Sequence, residues 1–351
     1  MSKQQSIKNQ VVIASAGSRK TTQIVEEAIK LNGKRILLTT YTNENLDQIR
    51  DFLTARCGCI PSHITLLSWY GFLLQDGVRP YQTFVTSENR RANSILFEEL
   101  KDWQRFVARA KADTYYLTKS NDVYRDRVSD LVCNCDDASV GHVIRRLEMV
   151  YDAIFIDEVQ DMAGYDLILL EKLFRSSIAV TVVGDPRQGT FSTNNSAKNR
   201  KYKKTGMIDW IVQLQKTGLI EVTEKNVCYR CNQKICDFAD SLFPEFTKTK
   251  SLNSEVTGHD GIFTVKPDEV HEYVSKRKPT VLRWNKSADT MQLPAINFGA
   301  SKGRTYDRVL IFPTKPMLIY LKTNDVEKAG DRSKFYVAVT RAKYSATFVL
   351  E

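Results

Sequence analysis

Short apolar runs recur along the chain, each about the length of one buried strand, and helical spacing sets in between them. The run QVVIASAG (residues 10–17) ends on a glycine turn. In the following TTQIVEEAIKLNG, Ile24, Val25, Ala28, Ile29 and Leu31 recur at helical intervals, and Gly33 supplies a C-terminal stop. RILLTTY and HITLLSW read as two further strands, with the helix NENLDQIRDFL between them. YDAIFIDE and IAVTVVGD read as two more, joined by the helix YDLILLEKLFRS. Strands that alternate with helices, and that are apolar on both faces, predict a parallel sheet covered on both sides.

The second half repeats the theme. PTVLRWN, AINFG, DRVLIFP and SATFVLE are strand candidates; NQKICDFADSLF and KFYVAVTRAK are helix candidates. The expected organisation is α/β with two lobes. Residues 1–72 and 148–222 form the first and 223–351 the second. Residues 73–147 interrupt the first lobe; NRRANSILFEELKDWQRFVARAK and SVGHVIRRLEMV make that insertion mostly helical by pattern. Residues 245–290 read as a smaller interruption of the second lobe.

Composition narrows the partners. The 351 residues carry a net charge of +10, which fits a polyanionic partner. No apolar run reaches the length of a membrane span, and MSKQQSIKNQ lacks the apolar core of a signal peptide, so a cytoplasmic protein without membrane contact is expected. Seven cysteines without a secretory signal point to a reduced compartment. Cys228 and Cys231 have metal-ligand spacing with Cys236 nearby, but buried, unreactive thiols account better for them.

ASAGSRKTT (residues 14–22) sits where a strand meets a helix N-terminus, the arrangement that aims backbone N–H groups at an anion. It departs from G-x-x-x-x-G-K-[ST] at Ala14 and at Arg19. Lys20 would reach the β- and γ-phosphates and the Thr21 hydroxyl would hold Mg²⁺, with Ala16, Gly17, Ser18, Arg19 and Thr22 completing the cradle. IFIDEVQD ends an apolar strand on Asp157 and Glu158. Asp157 suits Mg²⁺, and Glu158 can orient and deprotonate an attacking water.

With these two motifs in place, further segments resemble, in order, a superfamily 1A helicase of the UvrD/Rep type. They are TYTNENL (40–46), SWYGF (68–72), DEVQD (157–161), VGDPRQGTF (183–191), CYRC (228–231), GASKGRTYDRVLI (299–311) and YVAVTRAK (336–343). The resemblance implies two RecA-like P-loop lobes with ATP and Mg²⁺ between them. Gln188 would sense the γ-phosphate or the attacking water. Arg230 and Arg341 would stabilise charge on the γ-phosphate, Tyr229 would stack on adenine, and Gly303 would lie beside the nucleotide. Single-stranded DNA, or a duplex with an overhang, would stack on Tyr41, Trp69 and Phe191. Its backbone would contact Thr40, Asn43, Ser301 and Lys302. Trp69 and Tyr70 read equally as core rings. Lys198, Arg200 and Lys201, in KNRKYKK, could grip phosphates or form a solvated loop.

Three departures stand out. Arg19 replaces a glycine, Thr305 replaces the family's ribose-contacting Glu, and no adenine-reading glutamine motif is evident among Gln4, Gln5 and Gln10. The insertions are also short. The resulting expectation is a compact ATP-dependent DNA translocase or helicase, 3′ to 5′ by resemblance, acting in DNA repair or anti-phage defence beside a nuclease or accessory protein. The rival readings are an ATP-gated switch without unwinding activity and an RNA helicase of similar fold.

Overall fold

The computed structural model describes residues 9–350; Gln4, Gln5 and the rest of the N-terminal stretch lie outside them. The chain divides into two compact units. One comprises residues 9–12, 21–184 and 192–223, the other 13–20, 185–191 and 224–350.

The first unit is built on β1 (Gln10–Ala14), α1 (Lys20–Lys30), β2 (Ile36–Thr40), α2 (Asn43–Cys57) and β3 (Ile64–Ser68). It continues through α3 (Val128–Ala138), α4 (His142–Val150), β4 (Ala153–Ile156), α5 (Tyr165–Phe174), β5 (Ala179–Gly184), α6 (Met207–Lys216) and β6 (Glu221–Lys225). The sheet order is β3-β2-β4-β5-β1-β6. β2 runs parallel to both β3 and β4, and β4 parallel to β5. Every residue of β2 and β4 is buried, as a strand covered on both faces requires. Local chemistry fixes the ends of α2: the Thr42 hydroxyl accepts the Asn45 N–H at 3.2 Å, and Gly58 closes the helix at φ 79°.

The second unit carries α7 (Gln233–Ser241), β7 (Gly261–Val265), α8 (Val270–Arg277), β8 (Thr280–Arg283), β9 (Ile296–Asn297), β10 (Tyr306–Ile311), α9 (Lys315–Thr323), α10 (Arg332–Val339) and β11 (Ala342–Val349). Its sheet is parallel throughout, in the order β7-β11-β10-β8-β9. Its core joins Phe335, Tyr336, Val339 and Phe348 to Ile235 and Phe243. The α/β class and the two parallel sheets expected from the sequence are what the structure contains.

Three local expectations need correction. Residues 89–111 do not form a long helix. Only Asp102–Arg105 is helical there, and Ile95–Leu96 instead pairs in parallel with Val123–Tyr124. Side chains hold this stretch extended, since Arg90 donates to Asn121 and to the Thr118 carbonyl, and Ser94 donates to Asp122 at 2.6 Å. The segment 245–290 is no mere interruption, because it supplies β7, α8 and β8 of the sheet itself. The helix expected across KFYVAVTRAK ends at Val339, and Ala342 already begins β11. The β-branched residues Val337, Val339 and Thr340 disfavour further helix.

Candidate nucleotide and nucleic-acid sites

In the first unit, the buried strand β4 delivers Asp157 with no exposed surface and Glu158 nearly buried. The Thr21 hydroxyl, on the first turn of α1, donates to the Asp157 carboxylate. The other Asp157 oxygen accepts the Glu158 N–H at 2.8 Å. Glu158 adopts φ 61°, a left-handed conformation that costs a non-glycine residue about 1 kcal/mol or more and clusters at functional sites. The Gln160 side-chain amide donates to the Glu158 carboxylate. Gly184 lies close by: a Cβ there would stand 2.3 Å from the Gln160 Oε1, displacing that side chain, and 2.9 Å from the Val159 Cγ1. A hydroxyl and a carboxylate held together are hard oxygen donors of the kind Mg²⁺ selects, so these residues fit that ion. Among the described residues no cluster of three His, Cys, Asp or Glu could hold a metal on its own.

In the second unit, the phosphate loop is tied down by backbone contacts. The Ser15 N–H donates to the Lys225 carbonyl at 3.0 Å, and the Tyr229 N–H to the Gly17 carbonyl at 2.9 Å. The Ala16 N–H donates to the Tyr336 hydroxyl at 3.3 Å. Gly17 has φ 74°, and a Cβ there would lie 2.7 Å from the Arg230 Cβ and 2.8 Å from the Cys228 Sγ. Ser18 is buried and its hydroxyl has no protein partner among the described residues, an open capacity in the loop expected to cradle phosphate. Arg19 holds φ 61°, and its guanidinium lies 4.3 Å from the centre of the Tyr229 ring. Lys20 and Thr22 are half-buried.

The same unit contains the candidate charge sensors. Asp185 accepts Gln188 Nε2 at 2.9 Å and Arg187 Nε at 2.8 Å. Arg341 is almost fully buried. Its guanidinium donates to Gln188 Oε1 at 3.2 Å, to the Val337 carbonyl at 3.0 Å and to the Arg304 carbonyl at 3.2 Å. Arg230 donates to the Thr340 carbonyl at 3.2 Å. Gly303, at φ 82°, turns the chain ahead of β10. Arg341 and Gln188 are thus brought together, 153 residues apart in sequence.

The nucleic-acid candidates separate into accessible and inaccessible groups. Tyr41 is half-buried and Phe191 exposed, with Lys302 Nζ 5.8 Å from the centre of the Phe191 ring. Asn43, Lys198, Arg200 and Lys201 are exposed. Trp69 is not a stacking surface. It has no exposed area and its indole N–H donates to Asp166 at 2.8 Å, so it is the core ring of the two readings. Thr40 and Ser301 are equally buried, and the Ser301 hydroxyl is directed to the Phe298 carbonyl at 2.7 Å. The Ser301 hydroxyl, already committed to an internal acceptor, offers nothing to a phosphate; Thr40 is kept from one by burial, its hydroxyl having no partner among the described residues.

Sequence reading missed Tyr336, Arg187 and Asp166 as supporting residues, and left Tyr70 open as a core ring. Tyr336 reaches the loop at Ala16, and Arg187 is a buried cation paired with Asp185 and, at 3.4 Å, with Asp240. Tyr70 donates to the Thr193 carbonyl at 2.5 Å, and Asp166 gathers Trp69, Ser129, Thr193 and Asn194. The only signal for Tyr336, Arg187 and Tyr70 was that each lies within a motif already singled out; Asp166 lies in the helix after DEVQD and gave none. Cys228, Cys231 and Cys236 are buried thiols. Cys228 Sγ accepts the Cys231 N–H at 3.3 Å, and the Cys231 thiol donates to the Thr340 carbonyl at 3.5 Å. No helix among the described residues is long and apolar enough to cross a membrane.

Comparison with known proteins adds a family. The model of the viral superfamily 1 RNA helicase core domain matches residues 107–350, and that of an AAA domain matches residues 2–193. Among solved structures, the chain resembles arterivirus nonstructural protein 10, a helicase, at 14% identity and TM-score 0.50, covering 97% of this chain and 59% of that one. The helicase of PRRSV matches at 15% identity and TM-score 0.46, covering 98% and 52%. A complex of the arterivirus protein with DNA matches at 13% identity and TM-score 0.47, covering 97% and 60%. The chain therefore spans between about half and three-fifths of the length of these proteins. No curated protein matches it. The superfamily agrees with the motif reading; the UvrD/Rep branch is not the one that the matching family describes.

Proposed function

Because the chain belongs to the viral superfamily 1 RNA helicase core domain family, we propose that it hydrolyses ATP and couples the hydrolysis to movement along single-stranded nucleic acid. The observation that carries this reading is the convergence of Thr21 and Asp157, which joins the phosphate-loop helix to the acidic strand end. Lys20 contacts the β- and γ-phosphates, and Thr21 and Asp157 hold Mg²⁺. That ion, when bound, offsets negative charge on the phosphate oxygens. Glu158, fixed by Gln160, orients the attacking water and accepts its proton. Gln188 and Arg341 stabilise charge that develops on the γ-phosphate, with Arg230 beside them. Tyr41, Phe191 and Lys302 provide rings and charge for the strand.

The family description favours RNA as the track, whereas the UvrD/Rep-like motif order favours DNA and 3′ to 5′ movement. ATP turnover with no nucleic acid, with single-stranded RNA and with single-stranded DNA separates these. Turnover that either polymer stimulates, and that Lys20→Ala abolishes, supports the reading. Glu158→Gln should keep ATP binding and lose at least about 100-fold in turnover. Normal hydrolysis by Glu158→Gln would overturn the assignment of the base.

One observation favours the switch as the second reading. The Tyr229 ring, expected against adenine, already carries the Arg19 guanidinium. Adenine stacking on that face of the ring requires Arg19 to move, which would make Arg19 a gate. Turnover that stays at its basal rate with both polymers, but rises in Arg19→Gly, is the result this reading expects.

A further inference from the structure

A cleft of about 1000 Å³ lies wholly within the first unit, between the 195–203 loop and the insertion. Its wall contains five cations: Arg105, Arg127, Lys198, Arg200 and Lys203. Two of its three acids are already neutralised by arginines outside the wall. Asp126 pairs with Arg125 at 3.1 Å and Asp130 with Arg109 at 2.6 Å. Of the cations, Arg105 meets the exposed Asp102 outside the wall at 3.8 Å. The almost fully buried Arg127 donates to the carbonyls of Tyr115 and Gln104 rather than to a carboxylate. Lys203 donates to the Asn194 carbonyl at 2.9 Å. Burial holds the Lys203 ammonium below its ordinary pKa; the Asp126 carboxylate opposes that shift and the Arg200 charge adds to it. The wall therefore keeps an excess of positive charge that an anion would relieve.

The cleft also continues an aromatic row. The rings of Tyr41 and Tyr70 are 5.6 Å apart, and those of Tyr70 and Phe97 are 5.1 Å apart, edge to face. Phe97 is exposed, and Glu99 and Leu100, just beyond it in the chain, line the cleft. Tyr115 and Tyr165 add aromatic rings to the same wall. Positive charge and aromatic rings together are the features that hold single-stranded nucleic acid without regard to sequence.

We propose that this cleft is a second contact region for nucleic acid, taking a phosphodiester segment of the strand beyond Tyr41 and Phe97, the accessible rings on either side of the buried Tyr70. The proposal rests on the helicase reading above. A free nucleoside phosphate shares the chemistry, and the test separates the two.

The test uses the full chain and the double variant Arg105→Glu, Arg200→Glu, since both side chains are exposed. Affinity is measured by fluorescence anisotropy for oligonucleotides of about 4 and about 16 nucleotides, the limits of common single-strand site sizes. The ratio of long to short affinity should fall at least about tenfold in the variant. The salt slope for the long oligonucleotide should become shallower by about 1.4, or about 0.7 for each lost contact. Photocrosslinking of iodouridine in the long oligonucleotide should label Tyr115 or Tyr165. An unchanged ratio overturns the proposal, as does displacement of the long oligonucleotide's extra affinity by millimolar nucleoside monophosphate. Wild-type protein that binds neither length overturns the helicase reading first; length-independent binding overturns this proposal alone.

Discussion

The indole N–H of Trp69 donates to the carboxylate of Asp166 at 2.8 Å, joining the end of β3 to the first turn of α5. Asp166 also accepts the hydroxyls of Ser129 and Thr193 and the Asn194 amide at 3.1 Å. One fully buried carboxylate therefore holds the insertion helix α3, the end of β3 and the chain that follows the Phe191 motif. Burial raises its pKa, and the hydrogen bonds from Ser129, Thr193 and Trp69 oppose that rise. Asp166→Ala leaves the Trp69, Ser129 and Thr193 donors without this acceptor, while the Asn194 amide keeps the Ala163 carbonyl at 2.7 Å, and should cost about 3 kcal/mol or more in chemical denaturation. A double-mutant cycle with Trp69→Phe should show coupling of about 1 kcal/mol or more. Additive effects would mean that the pair does not act as one network.

Gly17→Ala tests the close approach within the phosphate loop. The new methyl would need φ near 74° and would overlap the Arg230 Cβ and the Cys228 Sγ. Nucleotide affinity should fall at least about tenfold, by more than a surface Gly→Ala change such as Gly33→Ala, where nothing lies within 4 Å of the added Cβ. Equal affinity in the two variants would show that the loop tolerates displacement from Tyr229 and Arg230.

Arg341→Lys removes a planar fork that serves Gln188, Val337 and Arg304 together. An ammonium cannot reproduce that geometry. If Arg341 stabilises the transition state, turnover should drop about 1000-fold. Nucleotide binding should survive, as measured separately by calorimetry. Loss of binding and folding in parallel with turnover would reduce Arg341 to a structural residue.

Asp152 supplies a pH test. The Arg35 side chain hydrogen-bonds to its carboxylate, the Arg35 N–H adds a second bond, and together they hold its pKa down to about 2. A depressed carboxylate pKa means that the folded state favours the ionised form. The pair's contribution is thus complete above the ordinary carboxylate value, about 3.9, and fades as pH falls through about 2. Asp152→Asn should lower Tm at pH 7, and the gap from wild type should close as pH approaches 2. Both side chains are partly exposed, so added salt should also shrink the gap. A gap that persists at pH 2 would assign the effect to packing.

The sequence by itself determined most of the sheet-forming strands, though not Glu221–Lys225 or Gly261–Val265, and the order of the chemical motifs. Apolar runs such as AIFI and ILLTT can be buried on both faces only in a covered parallel sheet. Asp157 and Glu158 follow directly from their place at the end of such a run, and Thr21 from its place at a helix start. Local pattern could not determine what depends on partners distant in sequence. The segment 89–111 carries helix-forming residues, yet hydrogen bonds to residues 118–122 hold its first part extended. GIFTV was hidden in what read as an interruption because an edge strand need bury only part of its surface. Trp69 followed the pattern of a stacking residue until a carboxylate 97 residues away claimed its N–H. Burial decides whether a polar or aromatic group can meet a ligand, and burial is a property of the packed chain, since it depends on everything that folds over the residue.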